Sequence, residues 1–195
     1  MTVTDEHIAV LRSFLVDDYQ VWYQRTEQLL ASGNAENYGL LIHAAFTRAA
    51  YRKFSPSWSL PDVIQFVGKV RSNLGSNAHS IDAVAAEKLL RQSIGDESLS
   101  PKELASLDIE TVAVVEGFLL QVMVREFNLD EAGLEEFIND AALHANKWLA
   151  ARVSESSPES DSTLDAGHQT NTAASMRRHV DRGPAREADG AWEAS

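Results

Sequence analysis

Glu116 occupies the place in this chain where a carboxylate is hardest to accommodate. It lies in the apolar run from Val112 to Val124, in the same helical stripe as Val112, Leu119 and Met123, with Gly117, Gln121 and Arg125 on the far side. A buried carboxylate must be paired, hydrogen-bonded or protonated, because an isolated buried charge is very costly. Three roles fit the pattern: a structural ion pair with an arginine such as Arg48 or Arg52, a bundle-edge position open to water, or a ligand-recognising or acid–base group. The ion pair is favoured, since structural pairs perturb carboxylates just as active sites do. Arg48 and Arg52 belong to a segment rich in small residues, which can approach closely.

A second constellation can be drawn as a metal site. Glu136, Asp140 and His144 recur at i, i+4 and i+8 on one face of the last helical segment. Lys147 shares that face, which points away from the apolar stripe, so a solvated face is favoured over a ligand set. The six histidines are His7, His43, His79, His144, His168 and His179. None belongs to an H-E-x-x-H or E-x-x-H pair, so the carboxylate-bridged di-metal bundle has little support. There is no Gly-rich phosphate loop and no G-x-S-x-G elbow. No cofactor, metal or catalytic residue is expected, and the balance leans away from an enzyme. Trp22, Trp58 and Trp148 fall on apolar faces and read as core rather than as a stacking platform for nucleobases.

The elements that must position these residues are helical throughout. Thr4 caps a first helix from Asp5 to Ser32, stopped by Gly33-Asn34. A second runs from Glu36 to Phe54, with Ala44, Ala45, Ala49 and Ala50 allowing close contact, and ends before Pro56. Ser59-Leu60-Pro61-Asp62 is a capping box with proline in the first turn. Trp58 and Val63 stand at the spacing of a hydrophobic staple. That helix extends to Leu74. Ser80 opens the next, Ile81 to Ile94. Ser100-Pro101-Lys102-Glu103 is a second box, starting a short helix that stops near Asp108. Two long helices follow, Ile109 to Phe127 and Glu131 to Val153, the last capped by Asp130 and buried through Leu134, Phe137, Ile138, Ala141, Ala145, Trp148 and Leu149. No period-two alternation marks a strand. The fold class is therefore all-α: an antiparallel bundle of about six helices plus one short helix.

The charge of −12 favours solubility and disfavours unspecific binding to nucleic acid or anionic membrane. It is unevenly spread. Residues 1–46 are net −4, residues 47–95 net +4, residues 96–153 net −8 and residues 154–195 net −4. The basic middle is expected to complement the acidic parts within the bundle. Helix-turn-helix DNA reading is disfavoured, because Lys88 and Arg91 are the only cations on the second helix of that pair. Without cysteine, disulfides and thiolate chemistry are excluded. No segment is apolar and long enough to span a bilayer, and the N-terminus lacks the pattern of a signal peptide.

Two regions result: a bundle over residues 1–153 and a polar tail over 154–195, expected to be disordered for want of apolar content. Trp192 in that tail is a candidate docking anchor, although an unselected tail end is the plainer reading. The function that fits is a non-enzymatic, cytoplasmic protein-interaction or regulatory module with an unknown protein partner. A homodimer is expected, through the broadly apolar helix around Glu116 and through Leu143. The alternatives are a small-ligand-binding bundle with a pocket near Glu116 and a nucleic-acid-linked regulator using residues 47–95. The interaction or ligand candidates are Glu116, Arg48, Arg52 and Trp192.

Overall fold

The computed structural model describes residues 2–155, and the expectations for the tail, Trp192 included, lie outside them. Within them are eight α-helices and no strand: α1 Asp5–Val16, α2 Tyr19–Ala31, α3 Tyr38–Phe54, α4 Leu60–Asn73, α5 Ala83–Ser93, α6 Pro101–Ala105, α7 Ile109–Glu126 and α8 Glu131–Glu155. The chain is an all-α bundle, as its periodicity predicts.

The expected helix from Asp5 to Ser32 is two helices. Asp17 adopts extended backbone, and the Asp18 carboxylate accepts the Val21 N–H at 3.0 Å to start α2. Aspartate competes with the helical ladder through its own side chain, so it favours caps over interiors. An apolar stripe that runs on unbroken hides this punctuation. The break leaves helix-end carbonyls to be satisfied. Gln121 of α7 donates from Nε2 to the Phe14 carbonyl at 2.7 Å. α2 then folds back on α1, joined by Phe14 and Trp22, whose ring centroids are 5.2 Å apart.

Two other starts move by a few residues. Ala35–Asn37 wind as a 3-10 turn before α3. Gly75–Ser80 do the same before α5, so Asp82 rather than Ser80 is its cap, accepting from Val84 N and Ala85 N. A carboxylate there also meets the positive end of the helix dipole. The Ser59 and Ser100 boxes form as expected: Ser59 N donates to Asp62 Oδ2 at 2.8 Å, and Ser100 N to Glu103 Oε2 at 2.9 Å. Gly33 and Gly95, with φ of +76° and +81°, end α2 and α5 in the left-handed region that glycine enters freely.

α3 is the central helix. It packs against α1, α5, α7 and α8, most extensively against the last two. Ala44, Ala45, Ala49 and Ala50 are fully buried and let these neighbours close in. Side-chain pairs give the directions. His43 meets Glu116 and Lys53 meets Glu126, so α7 runs parallel to α3. His43 meets Trp148 and Arg48 meets Asp140, so α8 runs antiparallel to it. The largest wholly buried side chains include Phe46, Leu11, Leu119, Leu120, Met123 and Ile138.

Candidate functional site

α7 carries Glu116 into the core: the side chain is 5% exposed. The burial read from the stripe is correct, but the partner is not an arginine. His43 of α3 donates from Nδ1–H to Glu116 Oε1 at 2.7 Å. Arg48 instead bonds Asp140 of α8 through Nε, at 2.5 Å. Arg52 lies over the Phe127 ring, its guanidinium carbon 5.0 Å from the centroid. The physical reason is reach. Arginine carries its charge at the end of a long stem that can run to the rim of a helix pair, while imidazole holds its charge close to the backbone and fits between α3 and α7.

His43 is 35% exposed along its side chain, so one ring edge faces the buried carboxylate and the rest borders the surface. Burial pulls its pKa down, and the hydrogen bond and charge of Glu116 push it up. The Glu116 contributions prevail over burial and over the smaller repulsion from Arg152, so His43 holds its proton above the ordinary imidazole value. On α8 the opposite holds for His144, whose pKa is lowered by burial first, then by Arg48, with Asp140 opposing. Trp148 contacts both rings, with centroids 5.3 Å from His43 and 4.5 Å from His144. One indole thus touches an imidazole whose pKa is raised and another whose pKa is lowered.

Leu40, His43, Trp148, Ala151 and Arg152 line an open depression of about 300 Å³ over this cluster. The surface continues along the α3–α8 seam through His144, then the Arg48–Asp140 pair, then Tyr51, whose ring centroid is 5.9 Å from the Arg48 guanidinium carbon. Tyr51 is 51% exposed and Leu143, on the outer side of α8, is 55% exposed. Chemically the site can hold an anion or exchange a proton at the His43 ring. A hydrolase would set a nucleophile and oxyanion donors beside such a pair. Among the described residues the contacts of the His43 ring are with Glu116 and Trp148.

The i, i+4, i+8 constellation does not assemble as a ligand set. Asp140 is committed to Arg48, His144 to Trp148, and Glu136 faces solvent. Among the described residues no group of three His, Asp or Glu side chains could hold a metal ion, and no helix is long and apolar enough to cross a membrane. Of the seven cations in residues 47–95, Arg48, Lys53 and Arg91 bond Asp140, Glu126 and Asp96, and exposed Lys69 lies 3.8 Å from Glu126.

His43 belongs to no metal motif, so motif spacing does not single it out, but the sequence carries another signal. From Gly39 to Phe46, His43 is the one titratable residue in an apolar run, as Glu116 is in its own. Two lone titratable groups on two of the most apolar helices are each other's natural partners. No protein-family model matches the chain, and no curated protein or solved structure is significantly similar to it.

Proposed function

We propose that the protein is a non-enzymatic interaction or regulatory module that docks a protein partner along the α3–α8 seam. The observation that carries this reading is the contiguous strip from the His43–Trp148 depression through Arg48 to exposed Tyr51, flanked by exposed Leu143. Aromatic side chains and arginine are the types enriched at the centres of protein interfaces. A second copy of the chain is one partner such a strip would fit, giving a homodimer. A reducing cytoplasm suits a chain without cysteine. The pairing of Arg48, Lys53 and Arg91 with carboxylates weakens the nucleic-acid reading, which needs cations left for phosphates.

Light scattering on the full chain at high micromolar concentration, and capture from lysate of its source cells on the immobilised chain, test the reading. Leu143→Asp is expected to abolish dimerisation or capture, while Ile64→Asp, on the exposed side of α4, leaves it intact. Monomer mass with nothing captured, or binding lost only with Ile64→Asp, refutes it.

A second reading has its own support. The depression borders His43, which rests on Glu116, so a small-ligand site near Glu116 is the alternative that the geometry favours.

A further inference from the structure

We infer that a second copy of the chain docks on the outer face of α7, with the two helices antiparallel about Phe118. This face lies on the side of α7 turned away from α3, so the contact is additional to docking along the α3–α8 seam. Glu116 points to His43 of α3, and Gly117 meets the Phe14 ring of α1, where an added Cβ would stand 3.3 Å from Cζ. Val114, Phe118 and Val122 recur at i, i+4 and i+8 on the opposite side of the helix. They are half-buried, whereas Val115, Leu119, Leu120 and Met123 are buried. The polar groups beside the stripe are used within the chain. Gln121 donates to the Phe14 carbonyl, and Thr111 Oγ1 donates to Asp108 at 2.6 Å. Water therefore reaches an apolar strip that has few hydrogen bonds to lose on being covered.

Charge decides the occupant. Half-buried Glu110 lies eight residues before Phe118 and exposed Arg125 seven after it, about 12 and 10.5 Å along the axis at ~1.5 Å per residue. Among the described residues neither has an ion-pair partner. At about 3.6 residues per turn both fall on the same flank of the stripe, and a two-fold axis keeps that flank together. Such an axis at Phe118 brings Glu110 of each copy level with Arg125 of the other. It also sets Val114 beside the partner's Val122, and Phe118 against its own equivalent. The ion pair then forms twice, as contacts across a two-fold do. Parallel pairing would instead set Arg125 beside Arg125 and Glu110 beside Glu110. The stripe is thus complementary to itself in one direction. The net charge of −12 repels a second copy, but at physiological salt exposed charges more than about 8 Å apart are largely screened.

Sedimentation equilibrium on the full chain at high micromolar concentration should give a dimer. Phe118→Asp should leave a monomer with unchanged far-UV circular dichroism. Glu110→Arg and Arg125→Glu each set like charges together twice, so each should raise the dimer dissociation constant about tenfold. The double variant Glu110→Arg/Arg125→Glu should recover most of the affinity. Arg125 is exposed, so a folding defect in Phe118→Asp leaves the charge test intact. The chain has no cysteine, so Phe118→Cys supplies one thiol per copy. Mild oxidation should link two chains there, while Ile64→Cys, exposed on α4, should not link them. With α7 as the self-contact the seam remains for a different protein, and Leu143→Asp then removes capture without changing the mass. Monomer mass overturns the inference, and persistent capture would leave the seam reading standing. A dimer that Leu143→Asp dissociates overturns it in favour of a seam dimer. A dimer indifferent to the single charge changes, or not recovered in the double variant, overturns the antiparallel pairing.

Discussion

Removing Glu116 should cost less than removing His43, although the two make a single hydrogen bond. Breaking a buried ion pair costs about 3–5 kcal/mol when the survivor keeps an uncompensated buried charge. After His43→Ala the survivor is a carboxylate only 5% exposed, so the full penalty applies. After Glu116→Ala the survivor is an imidazole 35% exposed, which water can reach and which can release its proton. What is lost then is the charged hydrogen bond itself, about 1.5–3 kcal/mol. The cost also depends on pH, and the sign follows from the direction of the His43 shift. Its folded pKa is raised above the ordinary 6.5, so the stability it contributes is complete below about 6.5 and is lost as pH rises through the folded value. Urea melts at about pH 6 and 9 should give a Glu116→Ala cost of about 2 kcal/mol that shrinks by about half at the higher pH, while His43→Ala costs more at both. Replacing both residues by leucine should recover much of the loss. Equal costs for the two single variants, or a Glu116→Ala cost that grows with pH, would refute the reasoning.

Ser13 Oγ is buried and makes no hydrogen bond among the described residues, so Ser13→Ala should raise stability by about 0.5–1.5 kcal/mol in a urea melt; a loss contradicts this. Asp18→Ala removes the α2 cap at the α1–α2 break and should lower stability by about 1 kcal/mol, roughly 2–4 °C in the midpoint of a body this size. Gly68 lies in the interior of α4 with nothing within 4 Å of where a Cβ would stand, so Gly68→Ala should stabilise by about 0.5–1 kcal/mol through helix propensity alone; an unchanged thermal midpoint would count against it. His7 is 2% exposed, takes the Thr4 N–H on Nδ1 at 2.9 Å and bonds the Asn34 carbonyl through Nε2. His7→Ala should therefore cost about 2–4 kcal/mol, and a loss under about 0.5 kcal/mol would show that this tether is dispensable.

Apolar periodicity made the helices and their buried faces legible, because burial follows the stripe. The stripe of α8 from Leu134 to Ala145 is buried as its spacing requires, and Glu116 is buried because its stripe is. What the stripe could not carry was punctuation and partnership. The α1–α2 break is written in Asp17 and Asp18, whose cost inside a helix is small beside the gain from the apolar residues around them. The partner of Glu116 depends on which helices adjoin and in which direction, and α7 packs parallel to α3 although three helices separate them in the chain. Arg48 and Arg52 face the rim because long side chains follow water. The depression was not legible at all, since it forms where α3 meets a helix encoded about a hundred residues later.

That separation has a consequence for how the chain is made. His43 and Glu116 are 73 positions apart, and Arg48 and Asp140 are 92 apart. At roughly 5–20 residues per second of translation, α3 emerges on the order of ten seconds before its two main neighbours exist. During that interval α3 lacks the two helices it packs against most extensively. Contacts of such long range also slow closure, because the loop entropy must be met first. The Val3 amide, bonded to Asn146 at 2.8 Å across 143 positions, joins the start of the chain to its last described helix. The bundle therefore closes only once α8 has been made rather than growing from its first helices, and a nascent chain stalled before α8 would present the centre of this fold to whatever binds exposed apolar surface.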